Sequence, residues 1–179
     1  LDEQLAHPGN FLFNARKEFV QKLFPLIQSF YKHISGGTEK IEMRYESQLH
    51  DGHFGQLLHA NREKDRQLQR TGTGIHKDDL LFKIQKNLFK NIASQGQRKS
   101  LLFACRLAAF EMLKIEKGFA PLLLLDDIFE KLDEKRMHNL LEFICLQNEG
   151  QVFITDTDAS RLKKAINQFN QPVQIILLN

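Results

Sequence analysis

Residues 119–179 alternate short apolar segments with amphipathic ones, and this order restricts the fold more than any other feature of the chain. A continuous apolar run from Pro121 ends at Leu125, as is typical of a parallel strand that is covered on both faces. Amphipathic helices are predicted over 134–149 and 158–169, with further strands over 152–155 and 173–178. The β-α-β-α-β order predicts a parallel α/β layer with right-handed crossovers.

The N-terminal region predicts one long amphipathic helix over 8–34. Pro25 is expected to kink it, because proline removes a helical hydrogen bond, and Gly36 and Gly37 are expected to end it. Its buried face is predicted from apolar residues spaced three or four apart: Leu12, Ala15, Phe19, Leu23, Ile27, Phe30 and Ile34.

Three further elements are predicted in the middle of the chain. Residues 41–46 alternate apolar with charged side chains, the pattern of a half-buried strand. Residues 53–69 predict a largely solvated polar helix. Residues 80–84 and 88–92 flank a polar turn and predict a short hairpin.

Four polar or small residues stand at the start of a second long helix that Gly118 is expected to end: Ser94, Gln95, Gly96 and Gln97. The buried face of this helix is predicted to be Leu101, Leu102, Cys105, Ala108, Met112 and Ile115. A helix N-terminus offers unpaired N–H groups and the positive end of the helix dipole, so this segment can bind an anion. The alternative is an ordinary cap in which Ser94 bonds to an early amide.

Asp126 and Asp127 follow the predicted apolar strand directly. Ligands of open α/β sheets gather at the carboxyl ends of strands, where one carboxylate can hold Mg²⁺ and a neighbour can orient an attacking water. The alternative is that both aspartates only end the strand and cap the following turn.

Composition favours a soluble protein in a reducing, cytoplasmic setting. Of 179 residues 42% are hydrophobic, and no apolar run reaches the ~20 residues that span a bilayer. The two cysteines, Cys105 and Cys145, lie within predicted helices. Residues 76–106 hold seven basic side chains and two acidic ones, which could bind nucleic-acid phosphates or could form a solvated basic surface.

Three histidines near one aspartate raise the alternative of a metal site: His50, His53 and His59 with Asp51. Zinc sites show tightly paired ligands at set spacings, often with cysteine, and the sequence identifies neither the required fourth ligand nor a second shell here. These histidines are therefore predicted to be surface residues.

Several of these motifs, in this order, resemble the RecF family: residues 74–79 (Gly-Ile-His-Lys-Asp-Asp), 93–97 (Ala-Ser-Gln-Gly-Gln), 122–127, Leu132 with Asp133, and 150–155. Residues 2–6 also resemble the start of that family's helical insertion, so the resemblance covers nearly the whole chain. The chain departs from the family's usual residues at Ile75, Lys77 and Asp156, among others.

The resemblance implies a partial ABC-type ATPase head of the P-loop NTPase class, with a parallel sheet, flanking helices and a helical insertion. Residues 1–118 would form the helical lobe with the hairpin and the signature helix, and 119–179 the C-terminal part of the ATPase core. Ser94, Gln95, Gly96 and Gln97 would be the ABC signature, which contacts the γ-phosphate of ATP held by the opposite protomer.

The resemblance also implies roles for the remaining motifs. Asp126 would hold the metal as the Walker B carboxylate, and Asp127 would be the catalytic acid. Lys131, Leu132 and Asp133 would form the D-loop at the dimer interface, and residues 155–158 would lie at the switch region, with Asp133 and Thr155 among the residues that bind the nucleotide. ATP and Mg²⁺ are the implied cofactors.

The implied function is an ATP-dependent DNA clamp, dimeric with ATP, that acts with RecR and RecO at gaps or junctions in recombinational repair, replication and the SOS response. No Gly-x-x-x-x-Gly-Lys-[Ser/Thr] motif occurs, so the chain is interpreted as a C-terminal portion that alone neither hydrolyses ATP nor binds it tightly. Two alternatives stay open: another SMC-like ABC head, and a non-enzymatic α/β interaction module.

Overall fold

The computed structural model describes residues 2–126, 128, 130–170 and 172–176. The backbone divides into two compact units. Unit 1 comprises Leu1–Pro25 and Ile41–Asn91, and unit 2 comprises Leu26–Lys40 and Ile92–Asn179. The division does not coincide with the predicted boundary at 118/119, because residues 92–118 group with the C-terminal segment and with residues 26–40. The two-lobe organisation of an ATPase head stays a prediction.

Helix α1 (Asp2–Ile34) begins six residues earlier than predicted and contains both Pro8 and Pro25. Its predicted buried face is partly wrong, because Leu12 and Phe19 are exposed whereas Phe13 and Val20 are buried. The reason is that α1 carries two neighbouring apolar stripes. In unit 1 the buried stripe is the one that contains Phe13 and Val20. It packs against the residues Tyr45, Leu49, Phe54 and Leu58. The unit 2 part of α1 buries Ile27, Tyr31 and Ile34.

Unit 1 contains a three-stranded antiparallel sheet in the order β1 (Ile41–Glu46), β2 (Asp79–Ile84) and β3 (Asn87–Leu88). The predicted alternation in β1 is confirmed. The hairpin between β2 and β3 turns through Gln85 and Lys86, which both have positive φ (50° and 68°), as a type I′ turn requires. The predicted second hairpin strand is too long, because Phe89–Ile92 form a helical turn, α3.

Helix α2 (Phe54–Leu68) confirms the predicted polar helix. It buries only Phe54 and Leu58, and it ends at Gln69, which has the left-handed conformation of a helix C-terminus. Helix α2 is therefore attached to unit 1 mainly by its first turn and a half.

Helix α4 (Gln95–Lys117) ends at Gly118, where φ is +73°, as predicted. Its predicted buried face is again only partly right. Leu101 and Ala108 are buried, but Leu102 and Ile115 are exposed. The remaining buried positions form a wide stripe: Ser100, Phe103, Ala104, Leu107 and Phe110.

Unit 2 contains a parallel strand pair, β4 (Leu123–Leu125) and β5 (Val152–Ile154), as predicted. The expectation that this strand is covered on both faces is wrong for the described residues. Leu123 and Leu125 are buried, but Leu124 is 71% exposed and its register partner Phe153 is 45% exposed. One face of the pair therefore packs in the core and the other is open.

The predicted helices that flank β5 are present in shorter form. Helix α5 (Glu134–Glu142) continues as a π-helical turn, Phe143–Gln147, and α6 spans Ala159–Asn167. The predicted final strand over 173–178 is not formed within the described residues 172–176, because their backbone pairs with no described strand; residues 177 and 178 lie outside that range. The observed order here is β-α-β-α.

Candidate functional site

Ser94 begins helix α4 with a reciprocal capping arrangement. Its Oγ accepts the backbone N–H of Gln97 at 3.2 Å, and Gln97 Oε1 accepts the backbone N–H of Ser94 at 2.9 Å. The cap leaves the first helical N–H groups, those of Gln95 and Gly96, without an acceptor among the described residues. Ser94 and Gln95 are also exposed. An ordinary cap and an anion site are therefore compatible. The reciprocal bonds between Ser94 and Gln97 fix the turn, while the N–H groups of Gln95 and Gly96 stay available to an anion.

Gly96 lies against the backbone of the segment before helix α5. A β-carbon built on Gly96 would lie 3.3 Å from the carbonyl oxygen of Lys131, closer than ordinary van der Waals contact. Lys131 itself has a left-handed backbone, with φ of +65°. The sequence-predicted signature and D-loop residues are therefore neighbours in unit 2, and a residue without a side chain permits the approach.

Asp133 caps helix α5. Its Oδ1 accepts the backbone N–H of Arg136 at 2.8 Å, and its Oδ2 accepts Nε of the same arginine at 3.0 Å. Asp133 is exposed, so this carboxylate is held in position without being removed from solvent.

Asp126 lies at the carboxyl end of β4 and is exposed. The hydroxyl of Thr155 donates to Asp126 Oδ1, and the Thr155 N–H continues the strand pairing by donating to Leu125 O at 3.0 Å. Asp127 lies outside the described residues. An exposed carboxylate at a strand end fits Mg²⁺, which keeps several waters and takes one or two carboxylates together with phosphate oxygens.

A buried polar cluster that sequence reasoning missed lies behind the Ser94–Gln97 cap. Glu39 accepts hydrogen bonds from the hydroxyl of Tyr31 and from Nη2 of Arg136, and the side chain of Gln97 lies close enough to lower the pKa of this carboxyl. Burial opposes ionisation of Glu39, but the hydrogen bonds from Tyr31 and Arg136 and the nearby Gln97 side chain outweigh it and hold the pKa of this carboxyl below its usual value. No local pattern marks Glu39, since Arg136 is 97 residues away in sequence.

Unit 1 holds a second buried carboxylate, within the 74–79 motif. The Asp78 side chain is only 4% exposed, and its Oδ2 accepts from Arg16 Nη1 at 2.9 Å and from the Tyr45 hydroxyl at 2.5 Å. Arg16 Nη1 also donates to Ile75 O at 2.6 Å. These bonds fix the short helical turn Ile75–Lys77 against α1.

The three histidines considered as metal ligands are surface residues, as predicted. His50, His53 and His59 are exposed, and His50 hydrogen bonds to Tyr45 O. Within the described part of the chain, no group of three or more His, Cys, Asp or Glu side chains could by itself hold a metal ion.

The basic stretch is mostly at the surface of the two units. Lys77, Lys86 and Lys90 are exposed in unit 1, and Arg98 and Arg106 are exposed in unit 2. Lys83 and Lys99 are half-buried, and the Lys99 ammonium lies 5.6 Å from the centre of the Phe103 ring. None of the helices in the described ranges is long and apolar enough to cross a membrane.

Comparison with protein-family profiles finds no match. Comparison with curated proteins finds DNA replication and repair protein RecF of Flavobacterium johnsoniae, which is 41% identical over 177 residues, or 99% of this chain and 49% of the relative. RecF of Azobacteroides pseudotrichonymphae is 37% identical over 179 residues, with the same two coverages. The chain spans about half the length of the curated relatives it matches.

Comparison with solved structures also finds RecF proteins. A structure of the recombination mediator protein RecF with ATP in the RecFOR pathway superimposes with a TM-score of 0.73 at 29% identity, covering 89% of this chain and 44% of that one. A second RecF structure, described as RecF-ATPrS, gives a TM-score of 0.70 at 30% identity with the same coverages.

The match to solved RecF structures shows the class of the fold, which is part of an ABC-type ATPase head, and the parallel strand pair β4–β5 fits this class. Within that class, the chain belongs to the RecF family of DNA replication and repair proteins.

Proposed function

We propose that this chain forms the signature-bearing half of an ATP-dependent, DNA-binding RecF protein that acts in recombinational repair and replication-fork maintenance. The observation that carries the proposal is the start of α4, where a capped and exposed turn presents the N–H groups of Gln95 and Gly96, in a chain 41% identical to a RecF protein. The whole protein, of the length that the relatives have, is called the full-length protein below, and this chain is proposed to be its C-terminal portion.

The signature segment (residues 94–97) is proposed to hold the γ-phosphate of ATP that the opposite protomer binds. The N–H groups of Gln95 and Gly96 supply donors, and the helix dipole of α4 favours negative charge. Gln97 fixes the turn through its bonds with Ser94. ATP with Mg²⁺ would join two protomers, because the γ-phosphate bound by one protomer is also held by the signature segment of the other. Hydrolysis would cleave this phosphate from ADP and so release the dimer.

Three aspartates are proposed to have separate roles in metal binding, catalysis and dimer contact. Asp126 is proposed as the Mg²⁺ carboxylate, oriented by the Thr155 hydroxyl, and Asp127 as the acid that orients the attacking water. Asp133 is proposed to lie at the protomer interface, where its cap on α5 fixes the D-loop segment (residues 131–133).

DNA is proposed as the macromolecular ligand, at gaps or at junctions between single and double strands. The exposed basic residues between Lys77 and Arg106 support this, because lysine and arginine bind phosphates without reading sequence. RecR and RecO are proposed as protein partners, with a cytoplasmic location and a part in the SOS response. In the two-lobe organisation proposed for the ATPase head, residues 1–118 belong to the helical lobe and 119–179 to the core.

The open face of the β4–β5 pair supports the proposal that more of the protein is needed for activity. Parallel strands are almost always covered on both faces, yet Leu122, Leu124 and Phe153 are exposed here. We propose that the other half of the full-length protein covers this face and supplies the phosphate-binding loop.

ATP hydrolysis tests the proposal directly. The full-length protein should hydrolyse Mg·ATP with stimulation by DNA, and this chain alone should not. Asp126→Asn should reduce hydrolysis in the full-length protein by about a hundredfold or more, because one metal carboxylate is lost. Glu63→Gln, which makes the same carboxylate-to-amide change at an exposed position of α2 in unit 1, is the matched control and should stay within a few-fold of wild type.

Two alternatives predict other outcomes. An interaction module would show neither nucleotide binding nor hydrolysis at any length. Another SMC-like head would hydrolyse ATP but would require long heptad-repeat segments flanking the head, which residues 1–70 lack.

A further inference from the structure

The cluster around Glu39 joins the two segments that are proposed to meet the opposite protomer. Glu39 follows α1, and its side chain is 16% exposed. It accepts a hydrogen bond from Arg136, which lies in the first turn of α5, and the side chain of Gln97, a member of the signature segment, lies near it. One carboxylate therefore lies beside both helix starts.

Each of the three guanidinium nitrogens of Arg136 donates a hydrogen bond to a different residue. Nη2 donates to Glu39, Nε donates to Asp133 at 3.0 Å, and Nη1 donates to Ser100 Oγ at 3.1 Å. The arginine side chain is 13% exposed. A planar guanidinium can bond in three directions at once, whereas an ammonium acts as a single point charge.

Ser100 extends this connection to Gly96. Its side chain is fully buried, and its Oγ donates to Gly96 O at 2.8 Å while accepting from Arg136. The path from the Asp133 cap through Arg136 and Ser100 to Gly96 consists only of direct hydrogen bonds. It runs beside the close approach between Gly96 and Lys131 O.

We propose that Glu39 and Arg136 are positioning residues that fix the signature segment and the D-loop segment at one spacing, so that both meet the opposite protomer together. This inference rests on the proposed function. It assigns a role to two residues that touch neither nucleotide nor metal in that proposal. Glu39 and Arg136 act through Gln97, Ser100 and Asp133.

The test compares Arg136→Lys and Glu39→Gln in the full-length protein. Lysine cannot replace the bonds that three separate guanidinium nitrogens make to Glu39, Ser100 and Asp133, and glutamine presents an uncharged amide to the Tyr31 and Arg136 donors. Both variants should bind ATP with the affinity of the wild-type protomer. The association constant of the protomers in Mg·ATP, measured by sedimentation velocity, should fall by at least about tenfold. The reason is that the signature segment and the D-loop segment would no longer contact the opposite protomer together, in either half of the interface.

Two controls separate positioning from general stability. Ile144→Val shortens a buried side chain on the same helical segment without touching the cluster. Arg62→Lys alters another arginine–carboxylate pair, with Asp2, in unit 1. Both should keep wild-type association, even where Ile144→Val lowers the unfolding temperature as much as Arg136→Lys does. Hydrogen exchange at the Gln97 and Arg136 amides, which the two caps protect, should rise only in the cluster variants.

Wild-type association in Arg136→Lys and Glu39→Gln would overturn the inference while leaving the proposed function intact. An equal loss of association in Ile144→Val at the same unfolding temperature would also overturn it, because stability alone would then explain the effect. A wild-type protein that does not associate in Mg·ATP would instead overturn the proposed function, and the inference with it.

Discussion

Gly96 and Lys131 approach so closely that a single methyl group on the glycine would press against the lysine carbonyl. The distance from the built β-carbon to that oxygen is 3.3 Å. Gly96→Ala should therefore have two opposing effects on folding: alanine favours a helix by about 1 kcal/mol over glycine, and Lys131 must shift by a few tenths of an ångström. We expect the free energy of unfolding of the chain, measured in urea, to change by less than about 1 kcal/mol.

The same substitution should have a larger effect on association. If the spacing between residues 96 and 131 sets the interface, Gly96→Ala in the full-length protein should weaken Mg·ATP-dependent association by about tenfold. Gly52→Ala is the matched control, because a β-carbon there makes ordinary contacts of 3.8 Å with Leu57. Equal association of both variants would show that the close approach has no functional role.

Tyr45 should make the stability of unit 1 depend on alkaline pH. Burial and the hydrogen bond to Asp78 raise the pKa of Tyr45 to about 12. Since the folded state holds this proton more tightly than the unfolded state, the contribution is complete below pH ~10 and is lost as the pH rises through 12. The loss should be on the order of 2 kcal/mol. Urea unfolding of wild type and Tyr45→Phe between pH 9 and about 12 measures it.

The difference in unfolding free energy between wild type and Tyr45→Phe isolates the contribution of Tyr45. The comparison is needed because burial and the bond to Glu39 also raise the pKa of Tyr31, which is present in both proteins. Tyr45→Phe should be less stable than wild type at neutral pH by about 1 kcal/mol. Near pH 12 the order should reverse, because wild type loses about 2 kcal/mol through Tyr45 and the variant does not. Parallel curves for the two proteins across that range would be inconsistent with the Tyr45–Asp78 contact.

Substitution of Leu124 should affect the stability of the full-length protein but not that of this chain. It is 71% exposed in this chain, so Leu124→Thr should leave the unfolding free energy of the chain within about 0.5 kcal/mol and should raise its solubility. If the other half of the full-length protein covers this face, the same change there should cost about 2 kcal/mol or more. Leu125→Thr, at a buried neighbour, should destabilise both lengths. A neutral Leu124→Thr in the full-length protein would mean that the face stays open.

Parts of this architecture follow from short-range patterns, whereas others depend on distant residues. Ser94 begins and Gly118 ends α4 as predicted, and Asp133 begins α5, since capping is decided within one turn. The buried stripe of α1 could not be chosen from sequence, because Phe13 and Leu12 are equally apolar and only Tyr45 and Phe54 decide between them. The Glu39–Arg136 pair joins residues from separate segments and leaves no periodic signal.

The basic surface should determine how DNA binding responds to salt. Lys86→Glu and Lys99→Glu in the full-length protein should weaken DNA binding, and each should reduce the slope of log affinity against log salt by about one if the lysine contacts a phosphate. Lys40→Glu, at an exposed lysine outside residues 76–106, serves as the control and should keep the wild-type slope. Unchanged slopes in the first two variants would exclude those lysines from the DNA contact.

Ser94 provides the most direct measurement of the claim that the start of α4 receives the phosphate of an opposite protomer. Aspartate and asparagine both cap helices as well as serine, so Ser94→Asp and Ser94→Asn should keep the turn, but only aspartate places a negative charge where phosphate is proposed to bind. Sedimentation velocity of the full-length protein in Mg·ATP should show dimers for wild type and measurable dimers for Ser94→Asn, and monomers for Ser94→Asp. Dimers of Ser94→Asp as stable as those of wild type would contradict the account.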